Sequence, residues 1–422
     1  MCSIFSTIID WANRLNRRRF LGLSGAAAVG ALAGCDLDFQ DGFFNACRAK
    51  LPAALAQGAV VRSAWQGLEP RNVWDVHCHV FGNGDSGNGL WFNPALERIW
   101  KPQQYLQKLF YLNAGCVHDS PGKVDDSVVD RLHNQCDVMP AGVHLLLFAF
   151  DWARDEAGRP MQERSTFYVP DAYAARLHER FPERFEWAGS IHPYAPDALD
   201  RVEAAVSTGA RAIKWLPSAQ NIDPASARCD RFYRRLAECR LPLITHAGDE
   251  RAVHGDAEGF GNPLLLRRAL DAGVRVVVAH CASLGVGRDL DRGLGGPTVA
   301  NFDLFTRLMD TTAYVGNLHA DISAVTQGNR MEVVARLLER QDWHPRLLNG
   351  SDYPLPGILP LVSLDALAGR GLLDADAVAP LREIREHNAL LFDMVLKRSL
   401  HHNGARFSST VFETRPFFVE TA

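Results

Sequence analysis

The stretch Val73-Trp74-Asp75-Val76-His77-Cys78-His79-Val80 decides how the rest of the chain is read. In an extended strand, side chains alternate between faces and advance about 3.3 Å per residue, so Asp75, His77 and His79 share one face and Val76, Cys78 and Val80 the other. Two imidazoles then project together, about 7 Å apart at the backbone, near enough to converge on one ion. An H-x-H on a strand is weak evidence by itself. It gains weight because Lys214, His246, His280 and Asp352 each stand at the end of a later apolar run.

Those runs are 73–80, 143–150, 185–191, 210–216, 241–246, 274–280, 313–318 and 347–352. Between them the pattern turns helical. Residues 196–207 place Leu199, Val202, Ala205 and Val206 on one stripe and stop at Gly209, while Asn262-Pro263 opens a stretch that closes at Gly273. Asn at the cap, Pro at the first helical position and Gly past the end are helix punctuation. Strands apolar on both faces and alternating with helices predict a parallel sheet covered on its outside. Eight such units predict an α/β fold, a closed (β/α)8 TIM barrel over residues 71–400 that gathers all strand ends into one mouth. An open doubly wound sheet gives no reason for reactive residues at so many separate strand ends. The helical stretch 381–400 would close the ring, and the tail 401–422 shows little periodicity.

Residues 81–142 are far longer than an ordinary βα loop and read as a mobile, partly helical insertion (102–112 and 125–136) over the mouth, with Trp91, Phe92 and Trp100 as lid candidates. The insertion contains a literal G-x-G-x-x-G, Gly82 to Gly87. Dinucleotide binding would need a helix to begin there, and Asn88-Gly89-Leu90-Trp91-Phe92-Asn93-Pro94 does not supply one. Neither a G-x-S-x-G elbow nor a phosphate-binding P-loop follows the signal region.

Taken together, Asp75-x-His77-x-His79, Lys214 in Ala-Ile-Lys-Trp, His246 in Ile-Thr-His-Ala, His280 in Val-Ala-His-Cys and Asp352 in Gly-Ser-Asp-Tyr-Pro resemble the amidohydrolase superfamily. The resemblance covers roughly residues 73–395, with the motifs in order on strands one, four, five, six and eight. It is nearest to the amidohydrolase-related branch, which holds both hydrolases and non-oxidative decarboxylases. The resemblance implies a divalent metal, Zn2+ first, as one or two ions held by His77, His79, His246 and Asp352. Lys214 joins that set if it is carboxylated to bridge two ions. Any one of these histidines alone would be an ordinary core residue. As a set they supply neutral nitrogens and a carboxylate, which is what a catalytic zinc requires.

Charge then suggests roles. Asp352 would take a proton from water and pass it to the leaving group, and His280 would stabilise an oxyanion or act as acid/base. An uncarboxylated Lys214 is a cation suited to a substrate carboxylate. Arg251, His254 and His319, just past strand ends, are further candidates for substrate contact, and Asp75 would orient the histidines from lower in the barrel. The expected activity is metal-dependent hydrolysis of a small ester, lactone or amide. The alternatives are decarboxylation of an aromatic or unsaturated acid on the same site, or a non-catalytic metal- or ligand-binding lipoprotein.

Composition fits a large soluble core: 47% of residues are hydrophobic and 22% charged, and the net charge of −4 gives no basis for a nucleic-acid partner. Residues 1–35 read as a targeting signal, because Arg17-Arg18-Arg19-Phe20-Leu21 precedes a short apolar Ala/Gly-rich run. The arginines and Phe-Leu resemble a twin-arginine export signal, and Leu32-Ala33-Gly34-Cys35 resembles a bacterial lipobox. Lipidation of Cys35, with Asp36 following, would hold a periplasmic protein to the cytoplasmic membrane. Residues 36–70 read as a linker from that anchor. Nine cysteines without C-x-x-C spacing argue against a cysteine zinc site, and Cys116 with Cys136 is the first disulfide to test.

Overall fold

The computed structural model describes residues 42, 44–117, 122–253, 257–293 and 295–419; the signal region with Cys35, and His254, lie outside these. Eight parallel strands form the centre: β1 (Trp74–His79), β2 (His144–Phe148), β3 (Phe185–Ala188), β4 (Ile213–Trp215), β5 (Leu243–His246), β6 (Val276–Ala279), β7 (Leu318–Asp321) and β8 (Leu347–Leu348). Backbone ladders join β1 to β2 and β3, and β4 through β8. Two single bridges close the ring, Gly189 with Ile213 between β3 and β4, and Cys78 with Tyr353 between β1 and the end of β8. The TIM barrel expected from the sequence is therefore present.

The inward register explains how the site arises. Ala212, Ile244 and Val277 sit in the barrel interior with Leu146, Phe148, Ala188 and Leu348. Two residues further along β4 and β5 the same face carries Lys214 and His246, so each strand lays an apolar floor and then a polar end. Outside, helices such as Ala198–Ser207 turn Ala198, Val202 and Ala205 onto the sheet. The Asn262 side chain caps the turn that leads into Arg267–Asp271, as the sequence predicts.

Four expectations need correction, and one segment that the sequence left open is placed. The seventh strand is Leu318–Asp321, not residues 313–318: Thr312–Tyr314 forms a 3-10 turn, and Gly316-Asn317 separates it from the strand. Strand β1 is not a simple alternation either, because its pairing with β2 shifts between Asp75 and Cys78. Trp74 and Val76 fill the interior below the histidines, while Asp75 accepts hydrogen bonds from the N–H groups of His77 (3.1 Å) and Ser351 (2.8 Å) and feels Lys397 of the helix Ala389–Ser399.

Residues 44–70 are no linker. Val61 and Ala64 of the helix Ala59–Trp65 are buried in the main core. The Asn45 amide donates to Arg385 O (3.0 Å), and Arg398 donates to Ala64 O (2.9 Å). The disulfide joins Cys47 to Cys116 (Cα–Cα 5.3 Å), leaving Cys136 a buried free thiol. Finally, the unplaced tail plugs the bottom of the barrel: Phe418 packs with Trp74 and Val277, and the Thr414 hydroxyl donates to Trp74 O (2.8 Å).

The insertion forms helices Pro102–Ala114 and Val124–Cys136 above the mouth. Its glycine-rich loop wraps the Asp125 carboxylate, which accepts from Gly84 N (3.1 Å) and Ser86 N (3.2 Å). Phe92 reaches the cavity beneath, Trp91 packs on Trp152 (4.8 Å between ring centroids), and Trp100 is 74% exposed.

Candidate metal and catalytic centre

Strand ends β1, β4, β5 and β6 and the turn after β8 bring His77, His79, Lys214, His246, His280 and Asp352 onto one cavity of about 140 Å³. Asp352 Oδ1 lies 3.4 Å from His77 Nε2 and 3.2 Å from His79 Nε2. Ligands about 2.0–2.1 Å from a tetrahedral ion are separated by roughly 3.3 Å, so both distances match an edge of such a site, and one ligand atom from each of the three residues lies within 4.8 Å of the others. The donors fit a divalent metal. Burial, reinforced by the Lys214 ammonium, pushes His77 down to about 4, and burial also lowers His246 and His280. Neutral imidazoles, the ligating form, therefore prevail at pH 7. Burial alone would raise Asp352, but His280 and His77 hold it well below the usual carboxylate range.

A residue that sequence reasoning missed organises these groups. Asp321, at the end of β7, is fully buried; its Oδ2 accepts from His77 Nδ1 (2.9 Å), and its Oδ1 accepts from the N–H groups of His280 (3.0 Å) and Ser323 (3.0 Å) and from the Ser323 hydroxyl. With Nδ1 committed as a donor, His77 turns its Nε2 lone pair to the cavity. Despite complete burial, the partners His77, His280 and Lys214 keep Asp321 ionised. His280 Nδ1 lies 3.2 Å from the Ser323 carbonyl, which can only accept, and 2.7 Å from its hydroxyl. The His280 proton thus sits on Nδ1, and its Nε2 lone pair faces Asp352 Oδ2 at 3.8 Å. The pattern Leu318-His319-Ala320-Asp321 carries the signal for Asp321 once the strand starts at Leu318.

Two conformational features show how tightly the site is built. His280 (φ 55°) and Asp352 (φ 61°) hold left-handed backbone, which costs a non-glycine residue about 1–2 kcal/mol. Gly350 lies so close to β1 that a Cβ there would come within 2.6 Å of the His77 Cβ.

The remaining candidates divide. Lys214 is buried, with Nζ 3.2 Å from His77 Nε2 and 4.8 Å from the Phe148 ring centre; it forms no ion pair with Asp352, and burial lowers its ammonium to about 8. His246 stands apart from the three-atom set, with Nδ1 3.3 Å from Glu250 Oε2 and Nε2 3.2 Å from Asp249 O. Arg251 lies at the cavity rim, half exposed and 3.7 Å from the Asp249 carboxylate. His319 is not at the mouth: two residues before Asp321 on β7, it packs its ring 4.5 Å from that of Phe417, beside the tail that seals the floor. The expected substrate contact by His319 is therefore corrected. Glu250 and Arg330, both lining the cavity, sit in loops without periodicity and were also missed.

A barrel mouth with a histidine–aspartate donor set defines a metal-dependent (β/α)8 enzyme of the hydrolase/decarboxylase type. Residues 74–390 match the family model described as amidohydrolase, and the chain belongs to that family. No curated protein matches it. Among solved structures it is similar to an uncharacterised TIM-barrel protein of Bordetella bronchiseptica (15% identity, TM-score 0.43, covering 74% of this chain and 98% of that one). A putative 2-pyrone-4,6-dicarboxylic acid hydrolase of Pseudomonas putida gives 15% identity, TM-score 0.42 and coverages of 76% and 97%. The 5-carboxyvanillate decarboxylase of Sphingomonas paucimobilis gives 13%, 0.41, 76% and 96%. Likenesses this distant carry no argument about reaction or substrate.

Proposed function

We propose that the protein is a zinc-dependent hydrolase of a small ester, lactone or amide. The observation that carries this reading is the placement of Asp352, whose one carboxylate oxygen faces the β1 histidines while the other faces His280 Nε2. A divalent ion at His77, His79 and Asp352 would supply Lewis acidity and make water a nucleophile near neutral pH. Asp352, held ionised, takes the proton from that water and delivers it to the departing oxygen or nitrogen. His280, with its proton on Nδ1, accepts a hydrogen bond through Nε2 and fixes the water's direction of attack. This differs from the oxyanion role expected of it, because Nε2 carries no hydrogen to donate. Lys214 places a cation beside the histidines, where negative charge develops on the substrate.

The test is turnover of a lactone, ester and amide panel by zinc-reconstituted protein in 18O-labelled water. Label in the product acid is expected. CO2 release from an aromatic acid without label uptake would replace this reading with the decarboxylase.

We also propose that the chain is exported and tethered through Cys35. The Cys47–Cys116 disulfide supports an oxidising compartment. Lipid labelling that survives Cys35→Ala would overturn the tether.

A further inference from the structure

The cavity is lined by three charged side chains that the mechanism above does not use, Glu250, Arg251 and Arg330, and of these Arg330 is the buried cation. Arg330, in the loop between β7 and the helix Val334–Glu339, is 7% exposed and lines the cavity. Its backbone is held by a hydrogen bond from its N–H to Gln327 O (2.8 Å), and Nη1 donates to Ser283 Oγ (3.2 Å). Nε, also buried, has no partner. Among the described residues Arg330 forms no ion pair; Glu250 and Asp352 act on it only through space. A guanidinium has five N–H groups in a planar fork, and burying it without a counter-ion is costly. The cavity that it lines also has apolar surface, with Phe92, Phe110, Phe167, Leu284 and Ile358 contributing to it.

From this geometry we infer that the ligand of the cavity is a small carboxylate with an apolar or aromatic body, and that Arg330 is the residue that binds its carboxylate. The inference rests on the reading of the cavity as a substrate site and adds the substrate class. A carboxylate matches the fork of the guanidinium in a bidentate pair, supplies the missing counter-charge and leaves its body against the phenylalanines. In this assignment the carboxylate held by Arg330 is an anchor, while the scissile bond of the same ligand lies toward His77, His79 and Asp352 across the shared cavity.

Benzoate and benzamide, alike in shape and different in charge, are the probes, titrated calorimetrically into the full chain both zinc-loaded and after chelation. Benzoate is expected to bind the metal-free protein at least about tenfold more tightly than benzamide, the scale of one charge-assisted pair. Arg330→Met should remove that preference without weakening benzamide, and Arg330→Lys should restore part of it. Equal binding of the two probes, no benzoate binding, or an Arg330→Met variant that still prefers benzoate would overturn the assignment. If Arg330→Met fails to fold, the comparison of the two probes on the parent protein decides. Because the deciding comparison is made on the chelated protein, a missing hydrolase activity would sink the proposed reaction and leave this pairing intact.

Discussion

The two ends of one barrel carry opposite chemistry on the same strands. On β7, His319 and Asp321 are two residues apart and share a face, yet His319 rests on Phe417 at the floor while Asp321 holds His77 and His280 at the mouth. The floor is sealed by the tail, with Phe418 stacked on Trp74 (5.8 Å). The mouth is left with strained backbone, buried charges and a cavity. A polar residue at a strand end is therefore read by the end it occupies: conserving the fold at one, doing chemistry at the other.

Substitutions at the two ends should separate stability from activity. The largest effect is expected from Asp352→Asn at the mouth, which should lower kcat by about 10²–10⁴-fold, the scale of a lost general base, with little change in Tm. If its kcat stays within a few-fold of the parent, Asp352 is not the base. At the floor, Phe418→Ala should cost about 3 kcal/mol of unfolding free energy, read by denaturant titration, while folded protein keeps its kcat. A Phe418→Ala variant that is fully stable but inactive would erase the distinction between the ends. Asp321→Asn keeps the shape and loses the charge that fixes His77, so metal affinity should fall by roughly 10–100-fold in a competition titration. An unchanged affinity would reduce Asp321 to packing.

The smallest effect concerns pH. Burial, followed by Arg346 and Arg275, depresses His319 to about 4. The unfolded chain takes up this proton near 6.5, so the contribution of His319 to stability is complete above pH 6.5 and is lost as pH falls from 6.5 toward 4. The slope is up to about 1.4 kcal/mol per pH unit. His319→Phe should flatten the stability profile in that window and leave it unaltered above pH 7. A profile as steep as the parent's would place the titrating group elsewhere.

Much of this was legible in the sequence because apolar runs and their polar ends are local signals. His77, His79, Lys214, His246, His280 and Asp352 all reach one cavity. What escaped depends on distant partners or broken periodicity. The 313–318 run is apolar enough to pass for a strand, and placing it there hid Asp321 and Ser323 beyond its end. The shift in β1 pairing, which turns Asp75 away, is invisible in a pattern of alternating residues. Residues 44–70 have helices of only four and seven residues, too short to show a period, and they are fixed to the barrel by long-range bonds and the Cys47–Cys116 disulfide. Arg330 lies in a loop, where its burial follows only from the folded mouth.

Metal content measured on matched variants from the two ends tests the central claim most directly. Purified protein reconstituted with zinc and desalted should retain at least one ion per chain by mass spectrometry. His77→Ala should lose it, and His319→Ala, changed in the same barrel but at the floor, should keep it. Full occupancy in His77→Ala, or loss from both variants alike, would contradict the assignment of the mouth as the metal centre.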